Sequence, residues 1–194
     1  MIITIGRQFG SGGREIGEKV AKRLGYAFYD KEILTMAAEE SGFSPAAMQH
    51  YDERPSGSLI YSLYMTGAAT SDNLPLNQQL AFAQFNIIRK VAQADNCVIV
   101  GRCADYILED IPNHLNVYVY APDEARLKNC VENLQMDPQT AKKMMRDVDA
   151  ARNRYHKAYI PGWQSVFDHK DLMIDSSRFG IDGTAKILAD IVKN

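Results

Sequence analysis

The segment Gly6-Arg7-Gln8-Phe9-Gly10-Ser11-Gly12-Gly13-Arg14 joins a short β-branched run, Ile2-Ile3-Thr4-Ile5, to a stretch with helical periodicity. A glycine loop in that position gathers backbone N–H groups beside a helix N-terminus, and both attract bound phosphate. Glycine is needed because the backbone must turn tightly and approach the anion closely. Gly10, Ser11, Gly12 and Gly13 are therefore the candidate cradle. The strict phosphate-loop pattern Gly-x-x-x-x-Gly-Lys-Ser/Thr is absent, because Arg14 and Glu15 follow Gly13 where lysine would stand. Arg14 is the candidate replacement cation; its competing assignment is a solvated helix arginine paired with Glu18 at i,i+4.

Two rival glycine fingerprints, both pointing to hydride transfer, fail. The dinucleotide pattern Gly-x-Gly-x-x-Gly would start at Gly10, and Asp30 even stands where a ribose-binding acid belongs, but Glu15 occupies the third glycine position. A looser dehydrogenase spacing fits Gly6, Gly10 and Gly12 but also requires a Tyr-x-x-x-Lys pair, and none of the ten tyrosines has Lys four residues on. Phosphate chemistry is the reading that survives.

Further charged residues stand where such chemistry would use them. Arg102 follows the apolar run Cys97-Val98-Ile99-Val100 and Gly101, at the carboxyl edge of a strand, where ligands bind in α/β sheets. Arg146, Asp149 and Arg152 lie on the charged side of a helical segment, which is equally the pattern of a solvated face. Asp30 stands directly after the expected strand 26–29. His50, His114, His156 and His169 have no partner spacing. Cys97, Cys103 and Cys130 form neither an even set nor a ligand motif, so reduced thiols are expected rather than disulfides or zinc.

The elements that must position these residues follow from periodicity. Strands are expected at 2–5, 26–29, 97–100, 116–120 and 172–174, as apolar runs without polar alternation. Helices are expected over 14–24, 31–41, 76–94, 123–133, from Asp137-Pro138 to about residue 160, and over 181–192. In the long helix opened by Asp137, Ala141, Met144, Val148, Ala151 and Tyr155 form the expected buried face, with Lys142, Arg146, Asp149, Asn153 and His156 free opposite. Apolar strands separated by helices indicate a parallel sheet covered on both faces. Residues 43–77, broken by Pro45, Pro55 and Pro75, read as an insert whose Tyr51, Tyr61 and Tyr64 suit packing or a homo-oligomer contact.

The 194 residues fit a single domain, 1–194, and 46% hydrophobic residues suffice for a core. A net charge of −2 gives no basic field for a nucleic acid polymer or an anionic membrane. With no signal-like N-terminus and no long apolar run, a cytoplasmic protein is expected.

Ile3-Thr4-Ile5, Phe9 to Gly17, Tyr29-Asp30-Lys31-Glu32-Ile33, Val98 to Asp105 and Arg146 to Arg152, taken in order, resemble the cytidylate kinase-like family across nearly the whole chain. The resemblance implies a three-layer α/β fold of the P-loop NTPase type, with a five-stranded parallel sheet, a helical insert on the acceptor side and an arginine-bearing lid at 137–160. It implies transfer of the ATP γ-phosphoryl group to a nucleoside monophosphate, CMP or dCMP, with ATP and Mg²⁺ as cofactors and nucleotides as partners. Gly10 to Gly13 would cradle the β-phosphate with Arg14 as the cation, while Arg102, Asp30 and Asp105 would face the acceptor. Arg146 and Arg152 would close over the transferring group, and Ser11 and Asp30 would hold the metal, in part through water. The chain departs from the family's pattern at the missing lysine and at Cys103, where cytidylate kinase has an acid. Those departures leave two other classes in play: a nucleotide-binding module without turnover, and a kinase for a small non-nucleotide alcohol.

Overall fold

The computed structural model describes residues 1–42 and 76–193. The insert expected at 43–77, with its tyrosines, falls almost wholly outside them. The described chain runs β1 (Ile2–Arg7), α1 (Gly13–Leu24), β2 (Ala27–Tyr29), α2 (Glu32–Ser41), α3 (Leu76–Ala94), β3 (Cys97–Val100) and α4 (Ala104–Ile107). It continues with β4 (His114–Tyr120), α5 (Asp123–Glu132), α6 (Pro138–Tyr159), β5 (Leu172–Asp175) and α7 (Ser176–Lys193). The five strands form one sheet in the order β2-β3-β1-β4-β5. Every pairing is parallel, with Ile3 opposite both Val98 and Leu115.

Both faces are covered, as uninterrupted apolar strands require. On one face Ile3, Ile5, Val98, Val100, Val117 and Val119 pack with Ile16, Val20 and Ala21 of α1 and Ala185 and Leu188 of α7. On the other, Ile2, Cys97 and Ile99 pack with α2, with Leu80, Phe82, Phe85, Ile88 and Val91 of α3, and with Tyr155 and Tyr159 near the end of α6. A third, small cluster of Cys130, Ala141 and Met145 fastens α5 to α6, with Phe9 of the glycine loop packed on it.

Several boundaries differ from the sequence reading for physical reasons. β4 begins at His114 because the polar His114 and Asn116 are used inside the fold: Thr4 Oγ1 donates to Asn116, and His114 Nε2 lies 3.3 Å from Thr4 Oγ1. α4 escapes periodicity because it is a single turn entered from a left-handed Cys103. α6 buries Ala141 and Tyr155 of the expected face together with Met145 and Tyr159; Val148 and Ala151 are half-buried, and Met144, expected inside, is 37% exposed. The charged side of α6 is not wholly free either, since Asp149 accepts hydrogen bonds from the Phe9 amide and Arg126. α7 starts at Ser176 and breaks at Gly180, whose φ of 67° and ψ of 176° are non-helical.

Candidate active site

β1 is the central strand, so the loop that leaves it lies at the middle of the sheet's carboxyl edge, where open α/β sheets bind ligands. Gly10 and Gly12 have φ of 79° and 76°. A Cβ at Gly10 would come within 2.8 Å of Cys130 Sγ and 3.0 Å of the Arg126 carbonyl, so conformation and space both require glycine there. Asn129 Nδ2 donates to the Gly10 carbonyl at 2.9 Å. Ser11 is turned inward: its Oγ donates to the carbonyls of Gln8 at 2.9 Å and Val119 at 3.2 Å. Ser176 Oγ donates to the Ser11 carbonyl at 2.7 Å, tying the loop to the start of α7.

In front of the loop opens a cleft of roughly 510 Å³, within the size range of small-molecule sites. Its walls carry five cationic side chains, Arg7, Arg14, Lys31, Arg102 and Arg152, against two acids, Glu15 and Asp30. Asp30, 4% exposed at the end of β2, joins two of the cations: Arg14 Nε donates to Oδ2 at 2.8 Å and Arg102 Nη1 lies 3.5 Å from Oδ1. Arg14 also reaches Glu18 at 3.4 Å, the pairing weighed against its phosphate role, while its contact with Asp30 was not foreseen. The hydrogen bond to Asp30 raises the already high pKa of Arg14. Arg152 Nη1 donates to the Arg7 carbonyl at 3.1 Å and faces the cleft from α6.

Arg102 is 2% exposed and stands in a backbone of three successive left-handed residues, Gly101, Arg102 and Cys103, with φ of 79°, 57° and 56°. Two such non-glycine residues in a row cost on the order of 1–2 kcal/mol each and persist only where surrounding contacts hold them. Here the Asp30 pair and the buried Cys103 do so.

Two candidates lie elsewhere. Arg146 is exposed on α6 and does not line the cleft. Asp105 is buried behind the strand edge, where it accepts a hydrogen bond from Lys170 and lies 4.0 Å from His156 Nε2. Burial works to raise the Asp105 carboxyl, but the charges of Lys170 and His156 and the Lys170 hydrogen bond outweigh it and hold the group below the usual carboxylate range. Arg126, Asn129 and Lys170 escaped the sequence reading. Asn129 follows Arg126 by three residues, the spacing of one helix face, and nothing local marks that face as the one beneath the loop.

The donor set does not suit a metal held by the protein. Ser11 Oγ is turned inward onto the Gln8 and Val119 carbonyls and does not line the cleft, both Asp30 oxygens face guanidinium groups, and no group of three His, Cys, Asp or Glu side chains among the described residues converges on one point.

A central parallel sheet with a glycine loop after β1 and a cationic cleft before it is the architecture of a P-loop kinase fold, and the solved structures agree. An uncharacterized protein from Eubacterium ventriosum ATCC 27560 is 27% identical over 100% of this chain and 99% of that one, with a TM-score of 0.72. Shikimate kinase from Bacteroides thetaiotaomicron shares the fold at 12% identity over 100% and 99% of the two chains, with a TM-score of 0.57. The YorR protein of Bacillus subtilis, solved in complex with phosphorylated GDP, does so at 13% identity over 100% and 96%, with a TM-score of 0.51. No curated protein sequence matches. The chain belongs to the cytidylate kinase-like family, whose model matches residues 2–178. No helix among the described residues is long and apolar enough to cross a membrane.

Proposed function

We propose that the protein transfers the γ-phosphoryl group of ATP to a nucleoside monophosphate in the cytoplasm. The observation that carries this reading is the excess of cationic side chains around the cleft, in a chain whose net charge is −2. Phosphoryl transfer asks a protein mainly for positioning and charge neutralisation, which such a cleft supplies. A monophosphate acceptor attacks through an oxygen already ionised at neutral pH, the second phosphate pKa being about 6. It therefore needs no general base, in keeping with a cleft rich in guanidinium groups. The preference for CMP or dCMP rests on family membership alone.

In this mechanism the amides of Gly10 to Gly13 hold the β-phosphate and Arg14 stands beside the β/γ bridge. Arg152 offers its guanidinium to the transferring group from α6, the proposed lid. Arg102, fixed against Asp30, grips the acceptor phosphate at the β3 edge. Mg²⁺ supplies charge neutralisation when bound and would travel on phosphate oxygens and water, in line with its reluctance to dehydrate.

A second reading is a nucleotide-binding module without turnover, favoured by the absent lysine and by the engagement of Arg14 with Asp30. ADP release by purified protein, with Mg²⁺-ATP and a panel of monophosphates and small alcohols, separates the readings. Turnover on a monophosphate is expected. ATP binding without turnover on any acceptor would establish the module, and turnover on an alcohol alone would move the acceptor to another class.

A further inference from the structure

Three groups close a ring behind the glycine loop. The Phe9 amide donates to Asp149 Oδ1 at 2.7 Å, Arg126 Nη1 donates to the Phe9 carbonyl at 3.0 Å, and the same nitrogen meets Asp149 Oδ2 at 2.6 Å. Both main-chain polar groups of Phe9 are thus held by one half-buried ion pair between α5 and α6. Arg126 is 6% exposed, and its other terminal nitrogen donates to Asp123 at 2.7 Å. Neither Asp149 nor Arg126 lines the cleft. The Phe9 ring packs on the cluster of Cys130, Ala141 and Met145. The next residue is Gly10, where the chain enters its first left-handed turn.

We propose that Asp149 and Arg126 are positioning residues for nucleotide binding. They preset the Phe9-Gly10 turn so that the following amides already converge when a triphosphate arrives, which spares the complex the entropy of ordering the loop. This rests on the reading that the cleft receives ATP. A loop lacking the lysine that would bridge it to the phosphates depends more heavily on such support. The ring also couples loop to lid: Asp149 Oδ1 lies 3.8 Å from Arg152 Nη1, and Arg152 donates to the Arg7 carbonyl. One carboxylate therefore holds the loop amide and orients a cleft-facing arginine. The sequence showed Asp149 only as part of a charged helix face.

The test measures Mg²⁺-ATP affinity by calorimetry, and amide hydrogen exchange of residues 7–14 without nucleotide, on the full chain. Asp149→Ala removes the contacts, and Asp149→Asn keeps the shape but loses the charge. Asp149→Glu restores the charge, while Asp123→Asn breaks the other Arg126 pair without touching Phe9. Loss of charge-assisted contacts should weaken ATP binding about tenfold or more in the Ala and Asn variants and speed loop exchange. Glu should recover part of both effects, and Asp123→Asn should stay within about twofold of wild type. Asp149→Asn carries the test if the Ala variant fails to fold. Wild-type affinity and protection in the Asp149→Asn protein would overturn the proposal. Absence of ATP binding by the wild type, read on its own arm, would overturn the nucleotide reading and the proposal with it.

Discussion

Arg14 and Arg102 share Asp30, yet their surroundings differ: Arg14 is half exposed and rests over the Phe28 ring at 5.7 Å, while Arg102 is buried. Their replacements should therefore fail differently. Arg102→Ala leaves Asp30 buried with one half-exposed partner, a loss on the order of 3 kcal/mol in stability, readable by urea denaturation. In steady-state kinetics the KM for the acceptor should rise more than that for ATP; an equal rise in both would remove the acceptor role. Arg14→Ala should lower kcat about a hundredfold, the scale of one lost electrostatic stabiliser, with ATP affinity falling less because the backbone cradle remains. Arg146, exposed and outside the cleft, serves as its comparison, and Arg146→Ala should stay within about twofold of wild type, as surface charges usually do. Near-wild-type turnover for Arg14→Ala beside an inactive Arg146→Ala would reverse the two assignments.

Among the elements, the turn from β1 into α1 is the most constrained. Gly10→Ala forces a side chain into a left-handed position and against Cys130 and the Arg126 backbone, so a loss of about 2 kcal/mol or more and of ATP binding is expected in thermal melts and calorimetry. This turn was legible from sequence because its signals are local: consecutive glycines, a β-branched run before them and i,i+4 apolar spacing after them. The apolar runs of β3 and β5 and the helix Leu76–Ala94 were legible for the same reason. The start of β4 was not. The expected strand begins at Asn116, and His114 looks like a loop residue until Thr4, a partner more than a hundred positions away, is brought beside it. The site divides likewise. Arg102, Asp30, Arg152 and the glycines meet in one cleft, as their places at strand ends and on one helix suggest. Asp105 had the same sequence credentials but pairs with Lys170, whose burial no local pattern announces.

Across the whole molecule, buried titratable groups set the response to acid. Burial holds the His114 imidazole below its ordinary value, and its hydrogen bonds and neighbouring charges offset this only in part. Asp105 is likewise held below the carboxylate range. In both cases the unfolded chain takes up a proton more readily than the folded one, so stability is full above the unfolded pKa and falls on acidification. The His114 part should fade below about pH 6.5 and the Asp105 part below about pH 4, the unfolded reference values. Urea midpoints measured from pH 8 to pH 4 should drop through the first window in wild type and less in His114→Gln; an identical drop would assign that step to another group. The tie between the glycine loop and α7 has a consequence for biosynthesis. Ser176 caps the Ser11 carbonyl, and Ile181 lies over Gly12, where an added Cβ would meet its Cγ1 at 3.0 Å. A nascent chain would present its phosphate motif about 160 residues before residues 176–181 were made, and the motif would stay unfinished until they followed. A chain stopped at residue 175 would carry every recognisable motif and still be expected to bind ATP poorly.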